Sequence, residues 1–232
     1  MITIHQPDFI PYLGFFNKAR LCDVLVIGDH VQYSDKGYTN RVKIKSSNGA
    51  NWLTVSNKHR FGQPINEIKI SKERDEFWYE KHLKTLQFCY GKTKFFDDYI
   101  GKFESVYKKN YEFLADLNLD FIKTVLEILG YDVPIKKTSE MNLTKSKNEG
   151  IIEICKNVGA DSYLSGMGGK RYIDESIFEQ NGIKLFFNKY EHPTYNQQFM
   201  DLGFIPGLSI LDLIFNEGTN SCSVLESGFQ GF

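Results

Sequence analysis

The spacing of apolar and polar positions changes along the chain, and each spacing predicts a different secondary structure. Met1–Ile4 is a short apolar, β-branched run, which is typical of a buried strand. Apolar residues at helical spacing follow in Tyr12–Leu21, and Asp23–Asp29 then contains a second apolar run that ends in an acid. Strand, helix and strand in this order predict a βαβ unit with two parallel strands.

The next stretch alternates with a period of two. Val42–Lys45 and Trp52–Val55 flank a polar turn with Asn-Gly at its centre, and this combination predicts a β-hairpin. Lys58–Pro64 has the composition of an exposed loop, and Ile65–Ile70 is predicted as a short strand.

A helical period dominates the middle of the chain. Aromatic and aliphatic residues recur at helical spacing in Asp75–Tyr90, Phe95–Leu117 and Leu119–Leu129, and glycines follow the first and third of these segments. We expect one domain over residues 1–232, with a helical insert at about 72–133.

The alternation of strands and helices returns in the last hundred residues. The predicted elements are strands at Ile135–Thr138, Asp161–Ser165 and Ile183–Phe187, and helices at Ser146–Val158, Asp174–Asn181 and Ser209–Phe215. The tail Thr219–Phe232 has no clear pattern and is expected to be partly disordered. The prediction is an α/β protein with a mainly parallel sheet, Rossmann-like or nucleotidyltransferase-like, with a β-hairpin excursion. The nucleotidyltransferase likeness is an analogy, because the paired histidines of that group are absent.

Charge and cysteine usage narrow the classes of function. Lys and Arg number 28 against 29 Asp and Glu, so the formal net charge of −1 argues against bulk binding of nucleic acid or an anionic membrane. No apolar run has the length of a membrane span, and no signal-peptide pattern is present. The four cysteines are scattered, so we expect reduced thiols and a cytoplasmic location.

Candidate chemistry lies where the first two predicted strands end. His5 and Gln6 follow the first strand and Asp29 ends the second, and ligands of parallel sheets bind at such carboxyl ends. His5 is a candidate general base or anion ligand. Asp29 is a candidate to orient the His5 imidazole or to bind a ribose hydroxyl. The alternatives are a hydrogen-bonded structural histidine and a turn-capping aspartate.

Phosphate binding is the second candidate chemistry. The Arg41 guanidinium suits a phosphate or carboxylate clamp, with the Asn40 amide beside it. The loop from Gly166 to Lys170, which includes Gly168, has backbone N–H groups that suit a phosphate, although it lacks a Walker or Rossmann fingerprint. A solvated arginine and a plain loop are the alternatives. The five histidines show no paired spacing, so no metal is expected, and cysteine catalysis is rejected.

Several motifs taken together resemble the WbqC-like protein family. The matching segments, in chain order from the first strand to about Gly218, are His5–Phe16 with Lys18, Asp29 with Gln32 and Tyr33, Asn40–Arg41, Trp52–Val55, Tyr163–Gly166, Tyr172, Tyr195–Gln197 and Leu208–Gly218. The resemblance implies a place in bacterial surface-polysaccharide biosynthesis, and a glycyl or amino-acyl transferase role on sugars has been suggested for such proteins. The resemblance favours a functional role for one set of polar residues: His5, Gln6, Asp29, Gln32, Asn40, Arg41, Tyr195, Gln197 and Asp212.

Three functions are compatible with these residues. The first is an enzyme that acylates the amino group of an amino sugar, which we expect to be nucleotide-linked, with His5 as base and Arg41 and Lys170 on substrate phosphates. Its acyl donor is open between an ATP-activated carboxylate, a charged tRNA and a thioester, and its cofactor is unknown. The second is a non-catalytic module that binds a glycan or sugar nucleotide, and the third is nucleotide-dependent chemistry on an acid. The site reading requires Tyr195, Gln197 and Asp212 to converge on the cleft of His5, and Asp212 either to orient His5 or to hold Tyr195.

Overall fold

The computed structural model of the chain describes residues 1–71 and 77–232. The strands are β1 (Ile2–His5), β2 (Val24–Ile27), β3 (Arg41–Ser46), β4 (Gly49–Thr54), β5 (Asn57–Lys58), β6 (Lys69–Ile70), β7 (Ile135–Lys137), β8 (Ser162–Gly166) and β9 (Lys184–Asn188). The α-helices are α1 (Leu13–Arg20), α2 (Trp78–Tyr90), α3 (Phe96–Tyr107), α4 (Leu114–Leu129), α5 (Lys147–Asn157), α6 (Glu175–Gln180), α7 (Ile210–Glu217) and α8 (Ser221–Ser227). No helix in these described ranges has the length and apolar character needed to cross a membrane.

Five strands form a parallel sheet in the order β7-β2-β1-β8-β9. Numbered by their appearance along the chain, these strands lie in the order 3-2-1-4-5, so the winding direction reverses between β1 and β8. The predicted α/β class with a mainly parallel sheet is confirmed. In open sheets of this kind the crevice at the reversal is the expected ligand site, and it lies at the carboxyl ends of β1 and β8.

The hairpin β3–β4 forms a separate antiparallel pair, as predicted. Its register places Lys43 opposite Trp52. One face is buried in the core through Val42, Ile44 and Leu53, and the other face points outward. The alternation of side chains along a strand therefore places Arg41, Lys43 and Trp52 on the same outward face.

The helical block between β2 and β7 differs from the prediction in where it breaks. The chain leaves α3 at Tyr107 and enters α4 at Leu114, so the predicted helices Phe95–Leu117 and Leu119–Leu129 are wrong in their boundary. Asn118, the one residue between the two predicted helices, lies buried inside α4. Its amide donates to the backbone oxygens of Pro7 and Thr39 at 2.7 Å each, so a tertiary role explains a polar residue at this position.

Side chains of this block pack into one hydrophobic cluster with those of α1, β2 and α7. The start of the first predicted helix at Asp75 and the start of the insert at 72 lie outside the described residues. The assignment of residues 1–232 to one domain stays a prediction.

Two further segments differ from expectation. Ile65–Ile70, predicted as a strand, is a 3₁₀ helix at Ile65–Glu67 followed by the two-residue β6. The tail, expected to be partly disordered, contains α8, whose Leu225 is fully buried, and its Phe229 forms a β-bridge with Tyr190. The helix is too short for its period to stand out in the sequence, and its order comes from tertiary packing.

Candidate functional site

The loop that follows β1 and the helix α1 bring together three titratable side chains with strongly shifted pKa values. His5 ends β1, Asp8 follows three residues later, and Lys18 lies on α1. Nδ1 of His5 lies 3.7 Å from Oδ2 of Asp8, and the two side chains keep 19% and 14% of their surface exposed. Both groups are therefore largely desolvated and still within reach of a ligand.

The His5 imidazole is neutral and its tautomer is fixed by one hydrogen bond. Nδ1 donates to the backbone oxygen of Gln6 at 3.1 Å, because that carbonyl can only accept. Burial and the nearby Lys18 ammonium lower the pKa of His5 to about 3. Nε2 therefore carries a free lone pair at any physiological pH, but it takes up a proton only weakly.

Asp8 and Lys18 have pKa values that burial moves toward neutrality. Burial raises the pKa of Asp8 to about 7, against an opposing effect of Lys18. Burial lowers the pKa of Lys18 to about 8, and Cys22 and Asp8 oppose that shift. A carboxyl with a pKa near 7 is suited to general acid–base catalysis at neutral pH. The pKa of Asp8 therefore suits this role better than the pKa of His5 does.

Backbone strain is located in the same loop. Ile10 has φ of 42°, a left-handed conformation that a β-branched residue rarely adopts. The Ser209 hydroxyl donates to the Ile10 oxygen at 2.9 Å, and the Ile210 N–H donates to the Pro11 oxygen at 3.0 Å. The start of α7 thus holds the loop in a costly shape, and such strain is concentrated at functional sites.

The segment before β3 lies against this loop. Besides the two contacts of Asn118, the Phe9 N–H donates to the Tyr38 oxygen at 2.9 Å. Tyr12 is half-exposed, and burial with the charge of Asp8 and the neighbouring Tyr38 raises the pKa of its phenol. The structure therefore brings Tyr12 and Tyr38 to the rim of the His5–Asp8–Lys18 cluster.

Asp29 does not orient His5, which corrects the predicted pairing. Its carboxylate accepts hydrogen bonds from the Thr138 hydroxyl at 3.0 Å and from the Ser139 N–H and hydroxyl at 2.8 and 2.6 Å. The side chain is buried and caps the 3₁₀ turn after β7. The alternative of a turn-capping aspartate describes these contacts; a catalytic role for Asp29 stays a prediction.

The other predicted binding residues divide between the two sides of the reversal. Arg41 lies half-buried at the start of β3, and the Asn40 amide donates to the Val55 oxygen at 3.1 Å. Gln32 is exposed and bridges to Pro64, and Gln6 is exposed beside His5. Their role in binding stays a prediction.

The glycine-containing loop follows β8, on the far side of the reversal from β2. It forms a short 3₁₀ helix at Met167–Arg171, with Gly168 and Lys170 exposed. A Cβ built on Gly166 would lie 3.8 Å from Nζ of Lys18, so the Lys18 ammonium faces the end of β8. Lys170 Nζ lies 5.0 Å from the ring centroid of Phe187.

The C-terminal candidates form a hydrogen-bonded cluster of their own. Asp212, fully buried on α7, accepts hydrogen bonds from Tyr90 at 2.9 Å, Tyr195 at 2.9 Å and Gln197 at 2.8 Å. Lys45 Nζ donates to the Gln197 side-chain oxygen at 3.1 Å. Burial raises the pKa of Asp212 to about 6 and lowers that of Lys45. We call this cluster the Asp212 network.

The Asp212 network corrects one part of the convergence prediction. Asp212 holds Tyr195, as one alternative had it, and no hydrogen bond within the described ranges joins it to His5. The chain around it still reaches the first loop, because α7 begins at Ser209 against Ile10. The network therefore supports the loop, and the acid–base groups lie elsewhere.

A groove of about 740 Å³ lies beside the Asp212 network, lined among others by Gln87, Phe88, Gln198 and Met200. Its lining is mostly amide and apolar, and Cys89 within it has a pKa raised by burial, which makes the thiol inert. This groove holds none of the three acid–base groups, so their chemistry makes the end of β1 the candidate site.

Sequence reasoning missed Asp8 and Lys18 as site residues. Both stand in the segments that carry the family resemblance, but no local signal distinguishes them from surface charges. Lys18 is buried because α1 is covered on all sides from Leu13 to Ala19. In the described ranges no group of three or more His, Cys, Asp or Glu side chains could hold a metal ion.

These features define an α/β protein with a polar site at the reversal of its parallel sheet. The chain belongs to the WbqC-like protein family, whose model matches residues 6–224. It is 30% identical over 224 residues to a Mycobacterium tuberculosis protein named "Uncharacterized protein Rv1507c", and the match covers 95% of each chain. No solved structure matches the chain.

Proposed function

We propose that this protein is a transferase that moves a small acyl group, such as glycyl or another amino-acyl group, onto the amine of a nucleotide-linked amino sugar. The family resemblance supports the reaction class and its setting in bacterial surface-polysaccharide biosynthesis. The observation that carries the proposal is the cluster of His5, Asp8 and Lys18 at the reversal of the sheet.

Acyl transfer needs an amine that loses a proton as it attacks. The neutral sugar amine adds to the carbonyl carbon of the donor, which forms a C–N bond and an oxyanion. Asp8, ionised above its pKa of about 7, takes the ammonium proton of this tetrahedral intermediate. Collapse breaks the bond to the leaving group, an alcohol, thiol or phosphate, which takes the proton back from Asp8.

His5 and Lys18 have supporting roles in this scheme. His5, neutral and held by the Gln6 oxygen, accepts a hydrogen bond from the sugar amine at Nε2 and positions it. The Lys18 ammonium stabilises the oxyanion, because a positive charge in a largely desolvated site stabilises developing negative charge. This assigns the base to Asp8 instead of His5.

The second candidate is a non-catalytic module that binds a glycan or sugar nucleotide. The half-exposed rings of Tyr38 and Trp52 favour it, because exposed aromatic rings next to polar groups suit stacking against sugars. The two candidates share a ligand and differ in turnover.

The test is an assay of the purified protein with UDP- and dTDP-linked amino sugars. Each sugar is combined with glycine and ATP, with glycyl-tRNA or with an acyl thioester, and mass spectrometry follows the sugar. The proposal requires a donor-dependent mass gain equal to the acyl group. Sugar nucleotides that bind without any mass gain would favour the binding module, and ATP consumption without an acylated sugar would favour nucleotide-dependent chemistry on an acid.

A further inference from the structure

The outward face of the hairpin β3–β4 carries the exposed ring of Trp52, which contacts the exposed ring of Tyr38 from the segment before β3. Trp52 is 42% exposed and Tyr38 is 48% exposed, and their ring centroids lie 5.8 Å apart. The other face of the hairpin is buried, so its strands need no aromatic surface on this side for stability. We call Tyr38, Trp52, Arg41 and Lys43 the hairpin platform.

Two cations flank the indole of the platform. The guanidinium carbon of Arg41 lies 4.5 Å, and Nζ of Lys43 5.1 Å, from the Trp52 ring centroid. Arg41 donates through Nε to the Gly37 oxygen, which leaves its terminal N–H groups available. Neither cation forms an ion pair in the parts of the chain that the structure describes, and the nearby Asp35 pairs with His59. The platform is therefore positively charged and not neutralised from within.

The platform is continuous with the acid–base cluster. The backbone oxygen of Tyr38 accepts a hydrogen bond from the Phe9 N–H. Tyr38 and Asp8 both contribute electrostatically to the raised pKa of Tyr12. A ligand that rests on Trp52 and extends past Tyr38 therefore approaches the chain segment that carries His5 and Asp8. Arg41 and Lys43 lie two residues apart on one strand, about 7 Å along it, a span that two linked phosphates can bridge.

We propose that the hairpin platform binds a nucleoside diphosphate, which is the part that a nucleotide-linked sugar presents beyond its sugar. The base stacks on Tyr38 and on the part of the Trp52 ring that stays exposed beside the two cations, and the diphosphate binds Arg41 and Lys43. This inference rests on the proposed function for the direction of the ligand, with its sugar toward Asp8. Binding to the platform is a separate property that is measured without turnover.

The experiment is titration calorimetry of the full chain with UDP, dTDP, GDP and ADP as probes. The variants Trp52→Ala and Lys43→Ala remove the stacking ring and one cation, and Arg41→Lys keeps the charge but loses the planar fork. We expect at least one probe to bind, with a Kd raised about tenfold or more by Trp52→Ala and Lys43→Ala. Because these side chains point outward, circular dichroism should match that of the wild type.

Matched controls remove the same chemistry elsewhere. Phe61→Ala deletes a ring that is 98% exposed, and Lys94→Ala deletes an exposed lysine that lies over the Phe95 ring. Both should leave the Kd unchanged. The inference is overturned if no nucleoside diphosphate binds the wild type, or if the platform variants bind like the controls. Platform-dependent binding without acyl transfer would support this inference and contradict the proposed reaction.

Discussion

At the level of single residues, Asp8 and His5 exchange the roles that their residue types suggest. Histidine has the ordinary pKa nearest to neutrality, but burial beside Lys18 lowers that of His5 to about 3. Burial raises the pKa of the Asp8 carboxyl to about 7. In the proposed reaction, acid–base work near pH 7 therefore falls to the carboxyl, and the imidazole serves as a fixed, neutral hydrogen-bonding group.

Asp8→Asn should lower the transfer rate at least about 100-fold, because the amide cannot take up the proton of the attacking amine. In the wild type the rate should rise with pH through about 7, as Asp8 ionises, and the variant should lack this limb. A pH–rate profile measures both. The control is Asp201→Asn, which neutralises an exposed acid; an Asp8→Asn profile identical to that of the control contradicts the assignment.

The pH dependence of stability that Asp8 contributes should be opposite in sign to that of an aspartate whose pKa is lowered by folding. Its pKa is raised in the folded state, so the folded protein binds more protons than the unfolded chain between about pH 4 and pH 7. The free energy of unfolding that depends on Asp8 therefore falls as pH rises across this window and stays low above it. Above pH 7, Asp8→Asn should raise the free energy of unfolding, on the order of 1 kcal/mol or more, in urea titrations. An unchanged or lower value would contradict the raised pKa.

At the level of elements, the Asp212 network joins α7 to the chain around Tyr195 and Gln197 and to the buried Lys45 on β3. Both carboxylate oxygens of Asp212 accept hydrogen bonds, and Lys45 is fully buried. Because α7 also begins against the strained Ile10, the network fixes the element that supports the loop of the site. Its polar residues are structural partners in this account.

Asp212→Ala should lower the free energy of unfolding by about 3–5 kcal/mol, since it leaves Tyr90, Tyr195 and Gln197 without their buried acceptor and removes the negative charge that acts on the buried Lys45. Urea denaturation measures the change. The matched control is Asp201→Ala, an exposed aspartate in the segment before α7, which should change stability by less than about 0.5 kcal/mol. Equal stabilities of the two variants would mean that the network contributes nothing to the fold.

The helix α8 should prove to be a packed element. Leu225 is fully buried in the core cluster, so Leu225→Ala should cost about 2–5 kcal/mol of unfolding free energy through lost burial and a cavity. Ser223→Ala, on the exposed side of the same helix, is the control and should be nearly neutral. Thermal or urea unfolding that fails to separate the two would restore the expectation of a disordered tail.

At the level of the whole molecule, the sequence predicts those elements whose formation depends on the local pattern of residues. The βαβ unit, the hairpin and the later strands follow from period and turn residues within a few positions. The boundary between α3 and α4 was misplaced, because the predicted helices meet at Asn118. The structure shows that this polar residue makes hydrogen bonds to distant backbone oxygens from inside α4. Local pattern carries no information about such partners.

In the candidate site too, the features that depend on local pattern could be predicted, and those that depend on distant segments could not. The end of β1 could be proposed from the sequence as the place of a candidate site, because parallel strands present their carboxyl ends to ligands. The raised pKa of Asp8 and the lowered pKa of Lys18 come from burial by distant segments, so neither residue type nor spacing predicts them. The pairing of Asp29 with His5 failed because Thr138 and Ser139, more than a hundred residues later, claim its oxygens.

The most direct measurement of the central claim compares acyl transfer by three variants on one sugar-nucleotide panel, by mass spectrometry. His5→Ala and Asp8→Asn should each lose at least about 100-fold in rate while circular dichroism shows an intact fold. Tyr195→Phe, which removes one hydrogen bond of the Asp212 network, should keep most of the activity. A wild type that acylates no sugar, or His5→Ala and Asp8→Asn proteins as active as Tyr195→Phe, would contradict the account.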